Sequence, residues 1–175
     1  MLDRIDALFA QRTPPRFDPV KRPIYLRTDL TFGLTAGGSV GHVAGVLNAL
    51  DGFTAPPLWL TTDTLPTVRE EIEHVLLDPG CRHWEHVERI ALAANLAYAK
   101  QADSAVAAVD AGLVYLRYGL NNYTGLRVAA ERDLPLVVEF NGSEPWIARE
   151  WAGGALRYET IAHRIESMNL KHADV

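Results

Sequence analysis

Cysteine is almost absent from this sequence of 175 residues, with Cys81 standing alone. A single thiol has no internal partner, which excludes a disulfide-stapled fold and fits a reducing compartment such as the cytoplasm. Long apolar runs are missing as well. No stretch approaches the ~20 residues that a membrane-spanning helix requires, and the opening Met1-Leu2-Asp3-Arg4-Ile5-Asp6 is too polar for a secretory signal. A basic excess is also lacking: the net charge is −5, whereas general nucleic-acid binding wants a basic face. No Asp-x-Asp pair occurs, so a divalent-metal clamp on a nucleotide diphosphate has no candidate. Cys81, His83 and His86 match no zinc spacing and read as a solvated helix start, so no metal site is expected. The remainder is ordinary for a globular chain, 48% hydrophobic and 22% charged. Its length makes one domain with room for a core.

Leu2, Ile5, Leu8 and Phe9 recur at helical spacing, so a short amphipathic helix opens the chain. Pro14, Pro15, Pro19 and Pro23 then break any helix, making residues 1–22 a helix followed by a proline-rich arm. The arm carries Arg12, Arg16, Lys21 and Arg22 against Asp18. Such a run reads as a solvated face, with weak peripheral contact to an anionic membrane as the alternative. Beyond it, residues 23–175 alternate. Strands are expected at Ile24–Arg27, Leu58–Thr61, Leu113–Arg117 and Leu136–Phe140, and a further one at Ile72–Leu77, whose Glu-rich lead-in also allows a helix. Helices are expected at Val40–Leu50, Trp84–Ala108, Asn122–Arg132 and Leu156–Lys171. Ala173-Asp174-Val175 looks like the start of another strand. Alternation of strands and helices implies βαβ units, and apolar runs such as Leu136-Val137-Val138 fit strands buried on both faces. The expected fold is α/β, a Rossmann-like doubly wound, mostly parallel sheet with helices on both faces.

Ligands of such sheets bind outside the carboxyl ends of the strands, and three loops qualify. In Thr35-Ala36-Gly37-Gly38-Ser39-Val40-Gly41-His42-Val43, Gly37, Gly38 and Ser39 stand where a backbone can approach an anion and a helix N-terminus can hold it. A phosphate or diphosphate suits that loop; the plainer alternative is a tight turn without ligand. Stricter motifs fail: Ala36 occupies the first glycine position of a dinucleotide fingerprint, and no Lys-Ser/Thr pair follows as in a P-loop. Arg117, at the end of its strand, can clamp a phosphate or carboxylate, and Tyr118 and Asn121 follow it, although Asn121 or Asn122 can equally cap the next helix. Asn141, Ser143 and Glu144 offer hydrogen bonds suited to hydroxyl groups, while Ser143 or Asn141 can also cap a helix with Pro145 in its first turn. The sequons Asn122-Tyr123-Thr124 and Asn141-Gly142-Ser143 read as coincidence.

Several stretches together resemble the N-terminal domain of the family-four glycosyltransferases, retaining enzymes of two facing Rossmann-like domains. They are Gly37-Gly38-Ser39-Val40-Gly41-His42-Val43, Val114-Tyr115-Leu116-Arg117-Tyr118-Gly119-Leu120, the segment from Pro135 through Asn141-Gly142-Ser143-Glu144-Pro145-Trp146-Ile147, and the segment from Ile165 to Asp174. The resemblance runs from about Ile24 onward and implies one half of a GT-B architecture. It implies transfer of a sugar from a nucleotide-sugar donor, as co-substrate, to a glycan, lipid-linked or small-molecule acceptor, with no cofactor or essential metal. Gly37, Gly38 and Ser39 match the loop facing the donor diphosphate; Arg117, Tyr118 and Asn121 match the acceptor side. Asn141 stands where many relatives carry a histidine. The family's C-terminal donor-binding domain has no counterpart in the sequence, so little transfer by this chain alone is expected. A non-catalytic module paired with a separate subunit is the alternative. An oxidoreductase is a further one, with Asp63 as mimic of a ribose-binding acid.

Overall fold

The computed structural model describes residues 1–13, 15–80, 87–151 and 154–175. Five strands, β1 (Arg22–Arg27), β2 (Leu58–Thr61), β3 (His74–Leu76), β4 (Ala111–Arg117) and β5 (Leu136–Glu139), form one all-parallel sheet in the order β3-β2-β1-β4-β5. Side chains alternate across a strand, and both faces are covered. Ile24, Leu26, Leu60, Val114 and Leu116 point into a large core with residues of α1 (Leu2–Ala10), α3 (Val87–Ala107), α4 (Thr124–Arg132) and α6 (Glu159–His172). Tyr25 and Trp59 point the other way, onto Val40, Val43 and Leu47 of α2 (Gly38–Leu50). The molecule is therefore a doubly wound, Rossmann-like α/β domain.

Strand order reverses between β1 and β4, the switch point at which such sheets open a crevice. Register fixes what lies there. Arg27 pairs with Thr61 on one side and with Arg117 on the other, and Arg117 pairs with Glu139. The last residues of four strands thus form one polar row, where the apolar run of each strand gives out.

Several boundaries differ from the sequence reading. α2 starts at Gly38 with Gly37 as its N-cap, so half of the glycine-rich stretch is helix and only its first part is loop. β3 is a strand of three residues, shorter than Ile72–Leu77, because it is an edge strand with one partner. α4 begins two residues later than expected, after Asn122 has turned the chain. A seven-residue helix, α5 (Glu144–Glu150), realises the alternative of a capped helix after Asn141-Gly142-Ser143, whose bounds the sequence left open. Ser143 caps it, accepting from Trp146 N at 3.4 Å, with Pro145 in the first turn.

The chain ends are tied to the sheet. Asp174 N donates to Leu136 O at 2.8 Å and Val138 N to Val175 O at 3.1 Å, so the last residues run along the outer edge of β5. Arg12, its side chain only 5% exposed, ion-pairs with Asp133 at 3.2 Å and Asp174 at 3.0 Å. Lys21 pairs with Asp110 and Arg22 with Glu73. Three of the four arm cations are therefore engaged within the fold. No helix among the described residues is long and apolar enough to cross a membrane.

Candidate functional site

A cavity of about 310 Å³ opens at the switch point. The ends of β1 (Thr28, Asp29) and β4 (Arg117, Tyr118), the start of α2 (Ser39) and the start of α5 (Glu144) line it, with Glu88 of α3 at the side. Its volume falls at the lower end of the ~300–1,000 Å³ usual for ligand sites.

Gly37 has φ +116°, a conformation that L side chains rarely adopt. It turns the chain from the β1 loop into α2. The first bond of that helix runs from Gly41 N to Gly37 O at 3.1 Å, and no side chain caps it. The N–H groups of Gly38, Ser39 and Val40 thus precede the first helical bond. A Cβ at Gly38 or Gly41 would meet nothing within 4 Å, so the surface there is open to an approaching group.

Arg117 projects from the end of β4 toward this helix start, its Nη2 donating to Ser39 Oγ at 3.1 Å. Its other terminal nitrogen ion-pairs with the Glu139 carboxylate. Glu139, absent from the residues singled out in the sequence, gathers the site. It also accepts from Tyr25 Oη at 3.2 Å and Asn141 Nδ2 at 2.8 Å, and lies 3.3 Å from His42 Nε2. The sequence signal was modest: one charged residue closing the apolar strand Leu136-Val137-Val138. Along the same row Arg27, 1% exposed, is held by both oxygens of Asp29 at 2.8 and 2.9 Å.

Glu144 is half-buried, and its carboxylate makes no hydrogen bond or ion pair with the described residues. Burial pushes its carboxyl above the usual range, and the nearby Glu166 carboxylate adds to the effect while Arg117 opposes it. Glu166 is itself occupied: it accepts from Ser143 Oγ at 2.8 Å and from Glu144 N at 2.9 Å. The Tyr118 ring is 4% exposed and stacks on Phe140, while its buried hydroxyl has no partner among the described residues. Burial raises that phenol far above its ordinary value, with Glu166 and Glu144 adding to it, so it stays protonated.

The expected residues divide. Ser39, Arg117, Tyr118 and Glu144 line the cavity, and Gly37 and Gly38 form the turn beside Ser39. Ser143 and Asn141 stand behind it, on Glu166 and Glu139. Asn121 does not reach it: the residue is fully buried in the left-handed conformation, φ 61°, outside the lining. Helix capping after β4 is shared. Asn122 Oδ1 accepts from Thr124 N at 3.0 Å, and Asn95 of α3, which the sequence did not single out, takes Tyr123 N at 2.8 Å and Thr124 Oγ1 at 3.0 Å. Asp63 anchors the β1 loop, its carboxylate accepting from Gly33 N and Thr64 N. Cys81, His83 and His86 lie outside the described residues.

No protein-family model matches the chain, and a search of curated proteins gives no match.

Proposed function

We propose that this chain is the acceptor-side domain of a retaining glycosyltransferase, which moves a sugar from a nucleotide-sugar donor to a glycan, lipid or small-molecule acceptor. The observation that carries the reading is convergence. An uncapped helix start, an arginine and an unpartnered carboxylate from three different elements meet at one cavity on the switch point. The resemblance to the family-four enzymes rests on the same loops.

In this reading the N–H groups of Gly38 and Ser39 face the departing diphosphate, where preorganised donors stabilise developing charge. Arg117 adds its guanidinium, and Glu139 fixes its direction. Glu144 accepts from an acceptor hydroxyl beside the buried Tyr118 ring, so that the attacking oxygen is positioned rather than searching. The donor-binding half comes from a C-terminal domain in cis or from a separate subunit. An oxidoreductase reading is disfavoured by Asp63, whose carboxylate is occupied by backbone N–H groups instead of standing free for a ribose.

Calorimetric titration with UDP-glucose, GDP-mannose and NAD tests the proposal. Through its diphosphate alone, a sugar nucleotide is expected to bind this chain weakly, and Arg117→Ala to weaken it at least tenfold further. Binding of NAD in preference, or sugar-nucleotide binding indifferent to Arg117→Ala, overturns it.

A further inference from the structure

Three donors converge on one oxygen behind the cavity. Glu139 Oε1 receives the Arg117 guanidinium, Asn141 Nδ2 at 2.8 Å and His42 Nε2 at 3.3 Å, while Oε2 accepts from Tyr25 Oη at 3.2 Å. A carboxylate oxygen offers about two lone-pair positions, so the three donors compete. His42 is the one held loosely: its side chain is half exposed and its contact is the longest of the three. Arg117 is the one that serves the cavity, because its other terminal nitrogen reaches Ser39 Oγ at the start of α2. Ser39 and His42 stand three residues apart on that helix, a spacing that puts both on one face.

Charge decides which donors win. A neutral imidazole competes poorly with a guanidinium for a carboxylate, whereas an imidazolium competes as a cation. A proton gained by His42 therefore draws the ring onto Glu139 and loosens the Arg117 pair. More of the guanidinium is then free for a group at the start of α2. The surroundings, among the described residues, leave His42 as the group that controls this exchange. α2 carries no other ionisable side chain. Tyr25 of β1 and Tyr115 of β4 stack on each other, and burial holds both phenols above their ordinary value. Arg27 and Asp29 are paired with each other along the row of strand ends. Glu144 of α5 feels Arg117 as well, and its titration is told apart by following the His42 ring directly.

We propose that His42 is a positioning residue for the anion site at the start of α2: its imidazolium takes a place on Glu139 and turns Arg117 toward the bound anion, so the site tightens as pH falls. That the anion is a donor diphosphate rests on the acceptor-side reading; the link to His42 rests on the crowded Glu139 oxygen.

NMR of the purified chain between about pH 5.5 and pH 8, the range in which imidazoles change charge, tests this in two steps. Without ligand, the Arg117 Nε–H resonance is expected to move with the same midpoint as the His42 ring, and to lose that movement in His42→Gln. With sulfate, whose charge is constant over the range, shifts at Gly38 and Ser39 should saturate about fivefold more tightly at the acid end. His42→Gln removes that difference at matched ionic strength, and melting curves verify that the variant is folded. An Arg117 resonance indifferent to His42, a sulfate pH dependence undiminished in His42→Gln, tighter binding at the alkaline end, or no sulfate binding at the start of α2 each overturns the proposal. UDP-glucose, whose diphosphate also keeps its charge, is titrated in parallel. Sulfate binding linked to His42 in a chain that UDP-glucose does not bind would uphold the role of His42 and remove the transferase reading. UDP-glucose binding without any dependence on His42 would do the reverse.

Discussion

Glu139 ties Tyr25, Arg117, Asn141 and His42 into one cluster while being 9% exposed. Removing one member of a buried ion pair strands the other, at a cost of about 3 kcal/mol. Glu139→Ala should lower unfolding free energy by about that amount in denaturant titration, and Arg117→Met in the same background should recover part of the loss. Glu144 acts in the opposite sense. Its folded carboxyl titrates above the unfolded one, so the folded state prefers the protonated form. The stability it contributes is complete below the unfolded value and is lost as pH rises through the folded one. Glu144→Gln is therefore expected to raise the melting temperature at pH 7 relative to the native chain, with the difference shrinking toward pH 4. A gain that persists undiminished in acid would contradict the assignment. The two roles could not be separated from sequence, where each is a single acid after an apolar or polar stretch; burial and neighbours decide.

At the scale of elements, the turn into α2 depends on two glycines for different reasons. Gly37 needs its positive φ, so Gly37→Ala strains the backbone and should destabilise by about 1–2 kcal/mol. Gly38 is helical, with open space where a Cβ would stand. Gly38→Ala should leave stability unchanged or raise it by up to about 1 kcal/mol while impeding an anion that approaches the helix start. Equal loss of stability from both substitutions, read in parallel melting curves, would count against this division. Asn95 joins α3 to the start of α4 through Tyr123 N, Thr124 Oγ1 and Asn121 O. Asn95→Ala leaves buried groups unpaired and should cost about 2–3 kcal/mol in denaturant unfolding. No local signal in the sequence points to Asn95, because its partners lie 26–29 positions away. α5 was legible only at its start, where Ser143 and Pro145 mark a cap and first turn; seven residues offer too little periodicity to bound it.

For the whole molecule, the alternation of apolar runs and helical faces was enough to give a parallel, doubly wound sheet. β1, β4 and β5 were legible because strands buried on both faces need continuous apolar residues and end where polarity returns. β3 was the least well bounded, since an edge strand of three residues carries little pattern. The site was partly legible. Loops at strand ends identified Ser39, Arg117 and Glu144, but the register that aligns Arg27, Arg117 and Glu139 exists only once the strands are paired. Chain ends also matter at this scale, because Asp174 and Val175 bond along β5. Removing residues 173–175 bares that edge and takes Asp174 from Arg12, which keeps Asp133, so the shortened chain should melt earlier and associate at concentrations where the native chain does not, as read by light scattering.

The central claim is that one crevice, between the ends of β1 and β4, receives the sugar donor's diphosphate and the acceptor together. Amide-resolved NMR during titration with pyrophosphate, followed by UDP-glucose and GDP-mannose, tests it most directly. The account predicts that the largest shifts fall on Gly37, Gly38, Ser39 and the residues around Arg117, and that Arg117→Ala abolishes them. Saturable shifts that map elsewhere on the domain, or none at all at the start of α2, would contradict it.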